Sequence, residues 1–460
     1  MDSKTNYKKV ASHEAHKGEF DKVVLLYSGG LDTSTMLKWI GDHYNADVIA
    51  VTIDIGQGDD YEQVKNKALK LGAKKAYVVD AKEEFSNEYL AKAIKANADY
   101  QDGYHLFCPL GRAIISKIAV DIAHKEGAQV VAHGCTGKGN DQVRFEGYIN
   151  ALDPSLKTIA PVREWSMGRG EQIEYAKKNN IPIGQSYDKI YSYDENMWGD
   201  SAEGGEIETL DQVPNLENIL LNCSTPEKAP NTPSIIELEF ENGLPVGING
   251  TKMSLCEIIT TVAKIGKEHA IGITHIIEDR IVGLKVRGIY EEPAAEILIK
   301  AHKNLEKLVS TMDENEFKTS IDQKWAYQTY SAKWFTPLIQ HLNAYIDSVQ
   351  KKVTGTVKVK LYKGSCDVVA ATSPYSLFNE DMATFMKNDL FNQNASAGFI
   401  ELWNLPQKTS YNLTKDIYFP SERKQKSLEE LAQNPEMQQA TTGAEEVSAP
   451  KVEGSVPLEN

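Results

Sequence analysis

Two segments of this chain bring together groups suited to holding and transferring phosphate. In the first, Ser28-Gly29-Gly30-Leu31-Asp32-Thr33-Ser34 follows the apolar run Val23–Leu26 and precedes the apolar positions Met36, Leu37 and Ile40. The pattern predicts a strand, a glycine turn and a helix, with Thr33 and Ser34 as cap residues. Two glycines let backbone N–H groups approach a ligand, the helix N-terminus adds partial positive charge, and three hydroxyls add donors. Such a turn is an anion cradle, and phosphate is the anion it suits. The second segment runs from His133-Gly134-Cys135-Thr136-Gly137-Lys138-Gly139 to Asn140-Asp141-Gln142-Val143-Arg144-Phe145-Glu146. Its glycines open the backbone to a ligand and Lys138 and Arg144 supply charge. Thr136, Asn140 and Asp141 can orient an amine, a carboxylate or hydrated Mg²⁺. Taken alone, each segment also reads as plain structure: a strand-to-helix turn in the first case, a solvated loop capped by Asn140 or Asp141 in the second.

Neither segment is a Walker loop. Gly137-Lys138 is followed by Gly139, where a Ser or Thr would hold Mg²⁺, and Ala132 stands where the leading glycine belongs. Kinase or GTPase chemistry at a γ-phosphate is therefore disfavoured.

The elements that must position these loops alternate. Strands are predicted over 22–27, 47–54, 75–79 and 129–133, with helices over 33–44, 61–71, 85–98 and 109–126. Leu71-Gly72 and Glu126-Gly127 are helix stops. This alternation implies a doubly wound parallel sheet (α/β, Rossmann-like), in which ligands bind beyond the carboxyl ends of the strands. After the Pro-rich stretch 225–233 the pattern changes. A strand over 235–240 with a turn at Glu241-Asn242-Gly243, helices near 255–269, 294–310 and 334–351, strands near 279–286, and paired strands over 354–361 and 366–371 suggest a second, α+β domain. The organisation expected is a polar extension (1–20), an ATP-binding domain (21–187), a synthetase domain (188–374), an oligomerisation segment (375–423) and a disordered acidic tail (424–460).

Composition narrows the classes. Of 460 residues, 41% are apolar and 25% charged, ordinary for a globular protein. Lys and Arg number 50 against 65 Asp and Glu, a net charge of −15, which disfavours nonspecific binding to nucleic acid or anionic membrane. Five scattered cysteines without a Cys-x-x-Cys pair argue against a zinc ribbon or redox dithiol, so no structural metal is expected, and reduced thiols in a cytoplasmic protein are the simplest reading. No run approaches the ~18 apolar residues of a membrane span.

Ser28-Gly-Gly-Leu-Asp-Thr-Ser34 resembles the pyrophosphate-binding loop of the PP-loop ATP pyrophosphatase superfamily. Together with the 133–146 segment, Ser192-Tyr-Asp194-Glu195-Asn196-Met-Trp-Gly-Asp-Ser201, Asn66–Ala73, Lys228–Pro233 and Val286–Pro293, it resembles the argininosuccinate synthase family from about residue 22 to 419. The resemblance implies ligation of citrulline and aspartate, with ATP, accompanied by Mg²⁺, cleaved to AMP and pyrophosphate in a homotetramer. It implies that Leu26, Tyr27, Ser28, Gly29, Gly30, Leu31, Asp32, Thr33, Ser34, Ile53, His133 and Gly134 bind ATP. Tyr104, Asn140, Arg144, Ser192, Ser201, Glu278 and Tyr290 would bind citrulline, and Thr136, Asn140 and Asp141 aspartate. The resemblance also implies catalytic roles for Asp32, Lys138 and Asp141. One departure stands out: Pro109 occupies a position where the family places Ser, leaving Cys108 as a possible replacement contact. A PP-loop enzyme with another acceptor and a catalytically inactive paralogue remain as alternatives. The tRNA-thiolating relatives need catalytic cysteines and a basic surface, neither of which is evident here.

Overall fold

The computed structural model describes residues 7–165, 167–182, 190–383 and 392–420. The expected tail 424–460, the junction near 187, and residues 384–391 and 421–423 of the expected oligomerisation segment lie outside these residues. The chain divides into two compact units, Met1–Phe378 and Asn379–Asn460.

In the larger unit, five short strands, β1 (Lys22–Leu26), β2 (Asp47–Asp54), β3 (Lys75–Asp80), β4 (Val130–Ala132) and β5 (Lys157–Ile159), form a parallel sheet in the order β3-β2-β1-β4-β5. Val23, Val24, Leu25, Val130 and Val131 are buried, as strands covered on both faces require. The helices Leu31–Tyr44, Tyr61–Lys70 and Phe107–Glu126 follow the sequence expectation. The helix expected over 85–98 runs over 82–95 and contains a π-helical turn, Phe85–Leu90. Both loops singled out in the sequence leave carboxyl ends of neighbouring strands, β1 and β4, so topology brings them together.

A second, antiparallel sheet has the order β11-β12-β7-β6, from β6 (Ser192–Asn196), β7 (Gly199–Glu203), β11 (Ile273–Asp279) and β12 (Lys285–Glu291). A third, order β10-β9-β8-β13-β14, uses β8 (Ser234–Glu241), β9 (Leu244–Ile248), β10 (Thr251–Lys252), β13 (Gly355–Tyr362) and β14 (Ser365–Thr372). The strands expected near 279–286 are β11, which ends at Asp279, and β12, which starts at Lys285, so most of that stretch is the turn between them. Arg280 N donates to the Leu284 carbonyl and Gly283 sits at φ +85°, so Ile281, Val282 and Leu284 lie in the turn.

Candidate active site

The first loop is an open set of donors. The helix starts at Leu31, two residues earlier than expected, and its cap is Gly30, without a side-chain cap bond. Thr33 and Ser34 therefore sit within the first turn rather than before it. The first N–H groups of a helix have no intrahelical partner. At the cap, Gly30 N lies 3.4 Å from Ser28 Oγ. Ser28 Oγ and Thr33 Oγ1 lie 3.2 Å apart, while Ser34 Oγ is engaged with Tyr27 Oη at 3.1 Å. Asp32 projects into solvent at this turn. Gly29, at φ +77°, turns its carbonyl to Lys67 Nζ at 2.6 Å, which fixes the orientation of that peptide. A Cβ there would lie 3.0 Å from Val64 Cγ2 and demand a left-handed conformation. Gly29→Ala is expected to weaken ATP binding about tenfold and lower stability by ~1–2 kcal/mol. Nucleotide titration and chemical denaturation of the variant read both effects.

Ile53 is a buried β2 residue whose carbonyl accepts from Gln57 Nε2 at 3.1 Å. His133 is also buried, with both ring nitrogens engaged. Nδ1 accepts from Cys135 N at 3.2 Å, so Nε2 carries the proton and donates to Glu146 Oε1 at 3.1 Å. The ring thus pins the start of the glycine loop, and what the segment offers a ligand is its backbone. Burial alone would raise the Glu146 carboxyl. Hydrogen bonds from His133 and His13 and the Arg163 charge outweigh it and bring it from 4.5 down to about 2. A folded-state value below the unfolded one contributes stability that is present above pH 4.5 and is lost as pH falls toward 2. Glu146→Gln is expected to flatten this part of the acid-unfolding limb, measured as the slope of unfolding free energy against pH.

The acceptor residues converge on a cleft of 350 Å³. Three sources supply it. The second sheet supplies one face: Tyr290 pairs with Ser201, and Ser201 with Asp194, so these lie in one row across β12, β7 and β6. Ser192, two residues from Asp194, and Glu278, four from Thr274 in the same row, share that face by strand periodicity. The glycine loop and the helix Asp141–Leu152 supply Thr136, Asn140, Asp141 and Arg144, and the helix Phe107–Glu126 supplies Cys108 and Arg112. Tyr104 also lines the cleft, its ring 4.7 Å from that of Tyr290.

Two charged hubs organise the cleft. Glu278 accepts from Asn140 Nδ2 at 3.0 Å and from the hydroxyls of Tyr290 and Tyr330, while Asn140 Oδ1 accepts from Ile281 N at 2.8 Å. At the other hub Arg112 donates through Nε (3.0 Å) and Nη2 (2.9 Å) to Asp141 Oδ2, and through Nη2 to Asp194 Oδ2 (2.6 Å). Arg144 Nη1 donates to Asp141 Oδ1 at 3.1 Å. Burial would raise the Asp141 carboxyl, but the two guanidinium groups hold it well below the carboxylate range. Cys108 Sγ, Asp141 and Asp194 place ligand-type atoms within 4.8 Å of one another, but Arg112 already supplies the positive charge this cluster needs.

Pro109 does not line the cleft. It occupies the first turn of its helix, where a missing N–H is harmless, and is buried. Cys108 faces the cleft instead, its thiol 3.3 Å from Asp141 Oδ1. Burial pushes this thiol up, which argues against a nucleophilic role. Lys138 is exposed on the loop. Sequence reasoning passed over Arg112, Asp194 and Tyr330. The i, i+4 spacing of Cys108 and Arg112, and the i, i+2 spacing of Ser192 and Asp194, were the available signals. All five cysteines are unpaired.

A parallel sheet whose two central strands end in an anion cradle and a glycine loop, beside a cleft of fixed charges, defines a nucleotide-binding α/β enzyme with a polar acceptor site. Residues 22–182 match the arginosuccinate synthase N-terminal HUP domain, and residues 191–410 match the arginosuccinate synthase C-terminal domain. Argininosuccinate synthase of Oceanobacillus iheyensis is 48% identical over 388 residues, 84% of this chain and 92% of that protein. The protein of the same name from Pyrococcus furiosus is 47% identical over 400 residues, 87% of this chain and 97% of its own length. The chain belongs to the argininosuccinate synthase family, and it is a ligase.

Proposed function

We propose that this chain joins L-citrulline to L-aspartate, cleaving ATP to AMP and pyrophosphate. The observation that supports the acceptors most directly is the single cleft containing Tyr104, Thr136, Asn140, Asp141, Arg144, Ser192, Ser201, Glu278 and Tyr290. A ureido oxygen leaves poorly, so it must first be activated. Citrulline's ureido oxygen attacks the α-phosphorus of ATP, the α–β bridging bond breaks, and pyrophosphate departs into the Ser28–Ser34 cradle. The amine of aspartate then attacks the activated carbon, gives up a proton and expels AMP. Backbone donors stabilise the phosphate charge, while the Glu278 and Arg112 hubs hold the acceptors in line. Mg²⁺ with ATP would neutralise phosphate charge, and the exposed carboxylate of Asp32, beside the cradle, suits holding it.

Ile53 and Gly134 would meet the nucleoside, Glu278 the ammonium of citrulline, and Thr136 and Asp141 the aspartate. The division into ATP-binding (21–187), synthetase (188–374) and oligomerisation (375–423) parts is the companion proposal. A homotetramer in the cytoplasm fits the free thiols and the smaller unit. Its helices Ala395–Trp403 and Leu405–Tyr418 expose Phe399, Trp403, Leu413 and Ile417, apolar surface that a second copy of the chain can cover. Among the described residues no helix is long and apolar enough to cross a membrane. The test is product analysis with citrulline, aspartate and ATP. Argininosuccinate, AMP and pyrophosphate in equal amounts are expected, and activity only with another ureido compound would reassign the acceptor.

A further inference from the structure

Residues 7–20 precede the stretch that matches the family, yet they are built into the sheet. Thr158 N donates to the His13 carbonyl at 2.8 Å and Ala15 N to the Thr158 carbonyl at 3.0 Å, so the segment bridges in parallel to β5, the edge strand. Ala15 is fully buried, and Lys9 reaches Glu164 at 3.1 Å and Tyr44 Oη at 2.7 Å. Two side chains then extend beyond the edge. His13 Nε2 lies 2.6 Å from Glu146 Oε2, and Glu14 lies 3.8 Å from Arg163, whose Nη2 holds Glu146 Oε1 at 2.7 Å.

That ion pair grips the glycine loop at both ends. Glu146 fixes His133, which accepts from Cys135 N at the loop's start. Arg163 Nη1 donates to Gln142 Oε1 at 2.9 Å, and Gln142 Nε2 donates to the Gly139 carbonyl at 3.3 Å, at the loop's end. We infer that the 7–20 segment is a positioning strap for the loop Gly134–Gly139, with His13 acting through Glu146 as a positioning residue. Its kinetic consequence rests on the ligase reading, in which that loop meets ATP and aspartate. Of the residues proposed for citrulline, Tyr104, Arg144, Ser192, Ser201, Glu278 and Tyr290 are not touched by the strap, and Asn140 is held by Glu278, Tyr330 and Ile281 N.

The test compares the full chain with His13→Ala and His13→Gln. The Gln amide can still donate to Glu146. In ligand-free protein, hydrogen exchange at amides 134–139 is expected to be faster in His13→Ala and close to the unaltered chain in His13→Gln. In turnover, the KM values for ATP and aspartate are expected to rise about three- to tenfold in His13→Ala, as fits one lost charge-assisted hydrogen bond acting at a distance. Its kcat and the citrulline KM are expected to stay within about twofold, on the scale of measurement, since no group touching citrulline changes. Unchanged loop exchange together with unchanged KM values in His13→Ala would overturn the strap. An unaltered chain that forms no AMP would contradict the ligase reading, and the exchange comparison would still decide the strap.

Discussion

Arg112→Met is expected to lower kcat/KM for aspartate by about a thousandfold and to destabilise the fold by ~3–5 kcal/mol. The guanidinium is the only group that touches both Asp141 and Asp194 among the described contacts. Removing it leaves two half-buried carboxylates in one cleft with Arg144 as the single remaining cation on Asp141 among the described contacts. Two charges of one sign within 4.8 Å repel, and partial burial weakens the screening by water. Relief requires either protonation of one carboxyl or a shift of the helix Asp141–Leu152, and either change disorders the proposed aspartate site. Arg112→Lys separates charge from geometry. A lysine restores one positive charge but not the paired Nε and Nη2 donors, so stability should recover more than activity. Denaturant unfolding and steady-state kinetics on the two variants read this, and a Lys variant with full activity would remove the geometric argument.

Glu278→Gln is expected to raise the citrulline KM about a hundredfold, while ATP binding in the absence of citrulline stays unchanged. Glu278 is buried and accepts from Asn140, Tyr290 and Tyr330 at once. Burial, and after it the negative charge of Glu278, push both tyrosine hydroxyls well above their ordinary range, so they remain donors at any working pH. The amide is nearly isosteric but carries two donors where the carboxylate carried none, and one must face a hydroxyl or Asn140 Nδ2. A substrate ammonium also loses its counter-charge, a loss of ~3 kcal/mol for a buried charge-assisted contact. Calorimetric titration with ATP alone, followed by citrulline kinetics, separates the effects. Equal weakening of both ligands would point to a general collapse of the cleft.

The two loops were legible in the sequence because their chemistry is local. A strand, two glycines and a helix are recognisable by period, and contacts such as Ser28–Thr33 and His133–Cys135 lie within a few residues. The strands β6 and β7 were quoted as a motif but not as strands, because their cleft-facing Ser192, Asp194, Ser201 and Glu203 are polar and erase the alternation of an ordinary strand. The long helix Met312–Tyr330 escaped for a related reason. It buries Lys318 and Gln328 beside Trp325 and Tyr330, so no clean apolar stripe marks it. Arg112 was passed over because its partners are 29 and 82 residues away, a separation that no local pattern encodes. The Pro109 departure was legible, but its outcome was not. Only the helix start at Phe107 decides that Cys108 turns toward the cleft and Pro109 away from it.

The central claim is that citrulline's own ureido oxygen attacks the α-phosphorus while pyrophosphate leaves into the Ser28–Ser34 turn. The most direct measurement is oxygen transfer from citrulline labelled with ¹⁸O in the ureido group, with aspartate and ATP, followed by mass analysis of the AMP. The account predicts one ¹⁸O atom in each AMP formed. Unlabelled AMP appearing alongside pyrophosphate and argininosuccinate would contradict it.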